Sequence, residues 1–293
     1  MRSSVHPQSA LVGVGSSFLI PDWPAPTGVH ALCTMRSGGV SAAPWNSLNL
    51  GSHVGDAPEA VAENRRRLSQ AIDALTPGAR PVFLNQVHGC EALRLDAQSC
   101  DGLAFDASIA HERGRVCTIM VADCLPVLLA HESGLVVGAA HAGWRGLAGL
   151  PAGAQRPQAT GVVERLFARL GEALEDVTGR RQGAGQLARQ TLAWLGPCIG
   201  AQAFEVGNEV RAVFMAHEEK AAQCFTASGA RYLADLQALA RQRLAALGIH
   251  QVYGNDGGPG WCTVSNESAF FSHRRDAARL GSSGRFAVCI WLG

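Results

Sequence analysis

Three residues of metal-binding type stand at distinctive places along the chain. His141 opens the run His141-Ala-Gly-Trp-Arg-Gly146, Cys124 sits inside Val121-Ala-Asp-Cys-Leu-Pro-Val-Leu-Leu129, and His88 lies in Asn85-Gln-Val-His-Gly89. Cys124 and His141 each fall at or near one end of an apolar stretch that reads as a buried strand. A thiol and an imidazole delivered by neighbouring strands form either a soft-metal site or a nucleophile with its base. With His88 added, two imidazoles and one thiolate make a three-ligand set that leaves one tetrahedral position open for water or substrate. Zinc in such a set lowers the pKa of its water to about 7, supplying hydroxide at neutral pH.

Other residues could assist that chemistry. Asp123 directly precedes Cys124, a charge that a core strand normally excludes, and is a candidate proton relay. Arg36 and Arg145 could hold an anion such as phosphate, although the plainer reading of either is a surface ion pair. In Phe270-Phe-Ser-His-Arg-Arg-Asp276 the aromatic Phe271 offers a wall for a planar ring and Arg274 a charge for an anion. The competing reading makes that segment a strand or turn with core aromatics and paired surface charges. Cys198 and Cys262 read as packing thiols in turns. Copper enzymes with several metal centres need dense imidazole sets, and the ten histidines include no His-x-His pair. Gly-x-Ser-x-Gly, Walker and dinucleotide-binding motifs are absent from the sequence.

The elements that must place these groups are read from pattern. The chain has 293 residues, 47% hydrophobic and 17% charged, with a net charge of +1. This is globular composition with no sign of a nucleic-acid or membrane partner. Thirty-four glycines and thirteen prolines suit many tight turns and a sheet-rich fold. Nine scattered cysteines without a CxxC pair suggest free thiols, a reducing compartment and a cytoplasmic location. The apolar run 10–20 is broken by glycines and serines and reads as a first strand or loose tail rather than a signal peptide.

Strands are expected at 28–35, 82–84, 116–121, 135–140, 191–195 and 286–292. Pro126 either starts a helix after Cys124 or marks an irregular edge. The helix option would place Cys124 where a helix dipole supports a thiolate. Asp56 reads as the N-cap of a helix running through residue 75 and stopped by Pro77-Gly78. Val162, Val163, Leu166, Phe167, Leu170 and Leu174 mark a second amphipathic helix. Further helices are expected at 208–217 and 232–247. The stretches 151–160 and 178–188 read as exposed, mobile connections. One domain over 1–293 is expected, with 1–20 as an N-terminal extension and 151–190 as a partly mobile connection.

Taken in order, several segments resemble the YfiH-like family. Its members have been called laccase-domain or polyphenol oxidase proteins, purine nucleoside phosphorylases and peptidoglycan editing factors. The likeness runs through Pro21-Asp-Trp-Pro24, Arg36-Ser-Gly-Gly-Val-Ser41, Ser47-Leu-Asn-Leu-Gly51, His53-Val-Gly-Asp56, Asn64-Arg65 and Asn85-Gln-Val-His-Gly89. It continues through Ala122-Asp-Cys-Leu-Pro126, His141-Ala-Gly-Trp-Arg-Gly146, Leu195-Gly-Pro-Cys-Ile-Gly200, Phe204-Glu-Val-Gly207 and Phe270-Phe-Ser-His-Arg-Arg-Asp276. Two segments depart from it: the long stretch 151–190, and Asp276 to Arg285 in place of a shorter Gly-Thr-Gly-Arg turn.

The resemblance implies an α+β fold of mixed β-sheets covered by helices, with His88, Cys124 and His141 as metal ligands. It implies zinc-dependent phosphorolysis of adenosine, inosine and methylthioadenosine, and deamination of adenosine. The expected cofactor is Zn2+, with Cu2+ as the alternative. The expected partners are purine nucleosides and phosphate, with no nucleic acid or membrane, and the expected state is a monomer. Three other readings use the same residues. Cys124 and His141, or the metal, could run an amidohydrolase that edits peptidoglycan precursors. A copper-linked polyphenol oxidase and a non-catalytic metal-binding scaffold are the others.

Overall fold

A computed structural model describes residues 18–150 and 160–293. Fourteen strands and seven α-helices are assigned among them. The strands are β1 (Phe18–Leu19), β2 (Val29–Thr34), β3 (Arg80–Phe83), β4 (Ala92–Arg94), β5 (Ala107–Ala110), β6 (Arg115–Val121), β7 (Leu125–His131), β8 (Val137–Ala142), β9 (Thr191–Leu195), β10 (Glu205–Val206), β11 (Phe225–Ser228), β12 (Arg231–Ala234), β13 (Gln251–Gly254) and β14 (Phe286–Leu292). The helices are α1 (Pro58–Leu75), α2 (Trp144–Leu147), α3 (Val162–Thr178), α4 (Ala184–Arg189), α5 (Asn208–His217), α6 (Leu236–Ala246) and α7 (His273–Leu280).

The fold is α+β with mixed sheets. One sheet runs β1-β2-β14-β6-β3 and the other β13-β9-β7-β8-β5-β4, with a small β10-β12-β11 sheet beside them. Side chains alternate between faces of a strand, so a strand apolar at every position must be covered on both sides. β14 is such a strand, buried along its whole length. Its Phe286, Val288, Ile290 and Leu292 join Leu128, Val137, Ala139 and Trp194 of the second sheet in one core. Its Ala287, Cys289 and Trp291 join Leu68 and Ile72 of α1 in another. The far face of the second sheet packs on α3 and α6 through Leu125, Val127, Leu166, Leu170, Leu239 and Leu244. The layers therefore run helix, sheet, sheet, helix.

Several sequence expectations are corrected. Pro126 starts no helix: residues 125–131 are β7, antiparallel to both β8 and β9. Asp56 is not a helix cap, since Ala57 occupies that position without a side-chain cap bond and Pro58 opens the helix. The Asp56 carboxylate instead accepts from Ser41 Oγ and Asn49 Nδ2. Residues 232–234 belong to β12, and α6 begins only after Asp235, whose carboxylate accepts from Ala238 N. The Phe270–Asp276 segment is neither strand nor surface turn: it leads into α7, capped by Ser272. Residues 1–17 and 151–159 lie outside the described residues, with the parts of the extension and connection placed there. Within the rest of those two stretches, Phe18 and Leu19 pair with β2, and α3 and α4 fill most of 160–190.

Candidate metal centre and cleft

Two connections cross from the first sheet to the second, and each carries a ligand candidate. β3 leads through His88 to β4, and β6 leads through Asp123 and Cys124 to β7. His141 comes from β8, opposite Pro126 of β7 in register. Both crossings take unusual backbone angles, with φ of 58° at His88 and 100° at Asp123. Non-glycine residues hold such angles only where their surroundings fix them. The positive φ at Asp123 removes it from strand alternation, so the carboxylate is not forced to the face opposite Cys124.

Asp106 does the fixing at His88. Its buried carboxylate accepts from three successive backbone amides, Val87 N at 3.1 Å, His88 N at 2.9 Å and Gly89 N at 2.6 Å. The same carboxylate accepts from His141 Nδ1 at 2.8 Å. With Nδ1 donating, Nε2 of His141 remains for an ion, the arrangement in which a carboxylate orients a metal-binding imidazole. The ligand atoms of His88, Cys124 and His141 lie within 4.8 Å of one another, and Cys124 Sγ is 4.0 Å from His88 Nε2. Gly143 makes room for this: a Cβ there would meet Cys124 Sγ at 3.0 Å and His88 Cδ2 at 3.2 Å.

The electrostatics favour an anionic sulfur. Burial opposes ionisation of Cys124, but the His141 charge and hydrogen bonds from both imidazoles outweigh it and hold the thiol down at about 6. Burial likewise opposes charge on His141, while Cys124 and Asp106 raise it to about 9. The support comes from imidazole, not from a helix dipole as the sequence suggested. A thiolate and two imidazoles suit a borderline cation such as zinc, so the donor set fits the implied metal.

These three residues line a cleft of about 340 Å³ together with His53, Gln86, Met120, Asp123, Ile199, Phe204, His273, Arg274 and Arg285. Asp123 has both oxygens engaged, Oδ1 by Thr263 Oγ1 and Oδ2 by Arg274 N, each at 2.6 Å. That bonding suits a positioning role better than a free base. Arg274 reaches the cleft while donating to the carbonyls of Ala203 and Glu205.

The other expected site residues lie elsewhere. Arg36 is buried beside Asp276 and Glu267, and donates to Asn46. Phe271 is fully buried beneath the Arg36 guanidinium. Arg145 is exposed and stacks on Trp144. None of the three lines the cleft. Asp106, His53, Gln86 and Arg285 escaped the sequence reading. Only His53 and Gln86, each within a segment already singled out for its resemblance, carried a signal that could have raised them.

The chain is similar to known proteins along most of its length. Residues 30–293 match the family model described as multi-copper polyphenol oxidoreductase laccase. The chain is 43% identical over 277 residues to an Escherichia coli protein named purine nucleoside phosphorylase YfiH, covering 94% of this chain and 99% of that protein. It is 44% identical over 279 residues to a Pseudomonas aeruginosa protein named purine nucleoside phosphorylase, with the same coverage of 94% and 99%. Among solved structures, a Neisseria meningitidis protein superposes with a TM-score of 0.77 at 39% identity, covering 94% of this chain and 99% of that one. YlmD from Geobacillus stearothermophilus gives 0.75 at 26% identity, covering 97% and 98%.

Proposed function

The chain belongs to the family described as multi-copper polyphenol oxidoreductase laccase, and on that premise we propose that it is a zinc-dependent purine nucleoside phosphorylase. Its substrates in this reading are adenosine, inosine and methylthioadenosine, cleaved by phosphate at the glycosidic bond. The observation that carries the reading is the convergence of His88, Cys124 and His141 on one cleft. Relatives more than two-fifths identical over most of the chain bear the phosphorylase name. Among the described residues one three-residue ligand set is found, fewer donors than a centre of several coppers requires.

Zinc held by this set would supply Lewis acidity to an oxygen in the cleft. The chain's own residues do the rest. Asp106 keeps Nδ1 of His141 protonated and the His88 loop closed around its carboxylate. Asp123 ties Thr263 and the start of α7 to the Cys124 corner. Phe204 and Ile199 offer an apolar wall for the flat base, and Arg274 borders it. Deamination of adenosine would use the same set with water in place of phosphate.

The test is product analysis from inosine and adenosine, with and without phosphate and with and without chelator. Hypoxanthine and ribose-1-phosphate should form from inosine only with phosphate, vanish on chelation and return with zinc. Cys124→Ser should not be rescued by zinc. Inosine left intact by the zinc-loaded enzyme at saturating phosphate would reject the phosphorylase reading.

A further inference from the structure

Every other arginine buried near this region has an acidic partner. Arg275 makes paired bonds to Asp276 at 2.8 Å each, and Arg36 lies 3.8 Å from the same carboxylate. Arg65 meets Asp101 at 3.2 Å. Arg285 is different. It is half-buried in the cleft, and among the described residues no carboxylate comes within ion-pair distance of it. Its Nη1 donates to the carbonyls of Ser283 at 2.9 Å and Gly284 at 3.0 Å. Nε and Nη2 have no protein acceptor among the described residues. A half-buried guanidinium without a close counter-ion, its open edge turned to the cleft, is set up to take an anion.

The side chain is also held in place. Its backbone N donates to Asn49 Oδ1 and its carbonyl accepts from Leu50 N. The stem packs so closely on Gly51 that a Cβ there would lie 2.8 Å from Arg285 Cγ. His53, two residues further along, lines the same cleft. Burial and the nearby Arg285 charge lower the His53 pKa. Arg285 lines the same cleft as His88, Cys124 and His141, and while burial lowers its pKa, the nearby Cys124 and Asp123 oppose that shift. Arg274, the other cleft arginine, already spends both terminal nitrogens on backbone carbonyls.

We infer that Arg285, with His53 beside it, forms the oxyanion subsite of the cleft and holds inorganic phosphate through the free Nε and Nη2 edge of the guanidinium. That edge matches two phosphate oxygens. The inference rests on the phosphorylase reading for its substrate, and it moves the anion site from Arg36 and Arg145 to residues that border the metal set.

The experiment is a thermal melt of the zinc-loaded protein against inorganic phosphate with no nucleoside present, followed by steady-state kinetics. Phosphate should raise the wild-type Tm, since a ligand bound only by the folded state stabilises it. Arg285→Gln should lose that shift, and Arg285→Lys, a point charge without the fork, should keep part of it. In kinetics, Arg285→Gln should raise KM for phosphate roughly 10- to 100-fold, the size of a lost charged pair of hydrogen bonds, with KM for inosine within about twofold of wild type. A full phosphate shift retained in Arg285→Gln, or no shift in the wild type, overturns the subsite. A shift that depends on Arg285 in a protein that leaves inosine intact supports the subsite and rejects the phosphorylase reading. Phosphorolysis indifferent to Arg285 does the reverse.

Discussion

Asp106 shows how much one buried side chain carries. Its two oxygens accept four bonds: three backbone amides of the His88 turn and Nδ1 of His141. Asp106→Asn preserves shape but turns one acceptor into a donor, facing groups that themselves donate. The turn and the imidazole then lose orientation together. Zinc affinity, measured by competition with a chromophoric chelator, should fall about 10- to 100-fold, the range for residues that orient metal ligands. Affinity unchanged in a folded variant would refute that role. The candidate trio was legible in sequence because a thiol and imidazoles at the ends of apolar runs are chemically conspicuous, and the structure brings the three together. Asp106 was not, because a lone aspartate before a short strand looks like any loop residue. Arg36 and Phe271 misled for a related reason. Adjacent residue types suggested a binding wall, but burial and partners, which sequence does not display, place both in the structural interior.

Among elements, α7 shows the same limit and its consequences. The run from Phe270 to Asp276 reads as aromatic then charged, which fits a strand edge or a turn. The Ser272 side chain accepts from Arg275 N and starts a helix instead. One turn in, Asp276 is completely buried, bonded to Arg275 and Arg279 and close to Arg36. Burial alone would raise its pKa, but hydrogen bonding and charge from Arg275, then Arg36, hold it below the usual carboxylate range. The stability from this charge is therefore present above about pH 3.9, the unfolded value, and is lost as pH falls through the lower folded value. Asp276→Asn should cost about 3 kcal/mol in urea unfolding at neutral pH, because it strands the arginines around it. A loss below about 1 kcal/mol would show that those arginines find other partners. Pro126 and Tyr232 failed at this scale too: proline tolerates a strand start as well as a helix start, and a four-residue strand just before a helix is too short to show a period of its own.

At the scale of the molecule, the centre sits where two sheets are sewn together by the crossings at His88 and Cys124. Glycine and proline content announced a sheet-rich fold. The four-layer stacking stayed hidden, because a strand apolar on both faces, such as β14, does not say what covers each face. The same layering buries histidines far from the cleft. His131 is closed in at the end of β7, where Ser133 N donates to its Nδ1. That bond requires a lone pair on Nδ1, and burial lowers the His131 pKa. Burial and Arg113 do the same to His30, and burial and Arg94 to His111. Below about pH 6.5 the unfolded chain takes up protons that these sites refuse, so stability is complete above that pH and falls on acidification toward the lower folded values. Urea unfolding of chelator-treated protein at pH 7.5 and 5.5 should show the decline. His131→Asn, which has no proton to gain, should show a smaller one. An equal decline in the variant would mean that His131 accepts its proton without cost, and that the sheet end opens to let it.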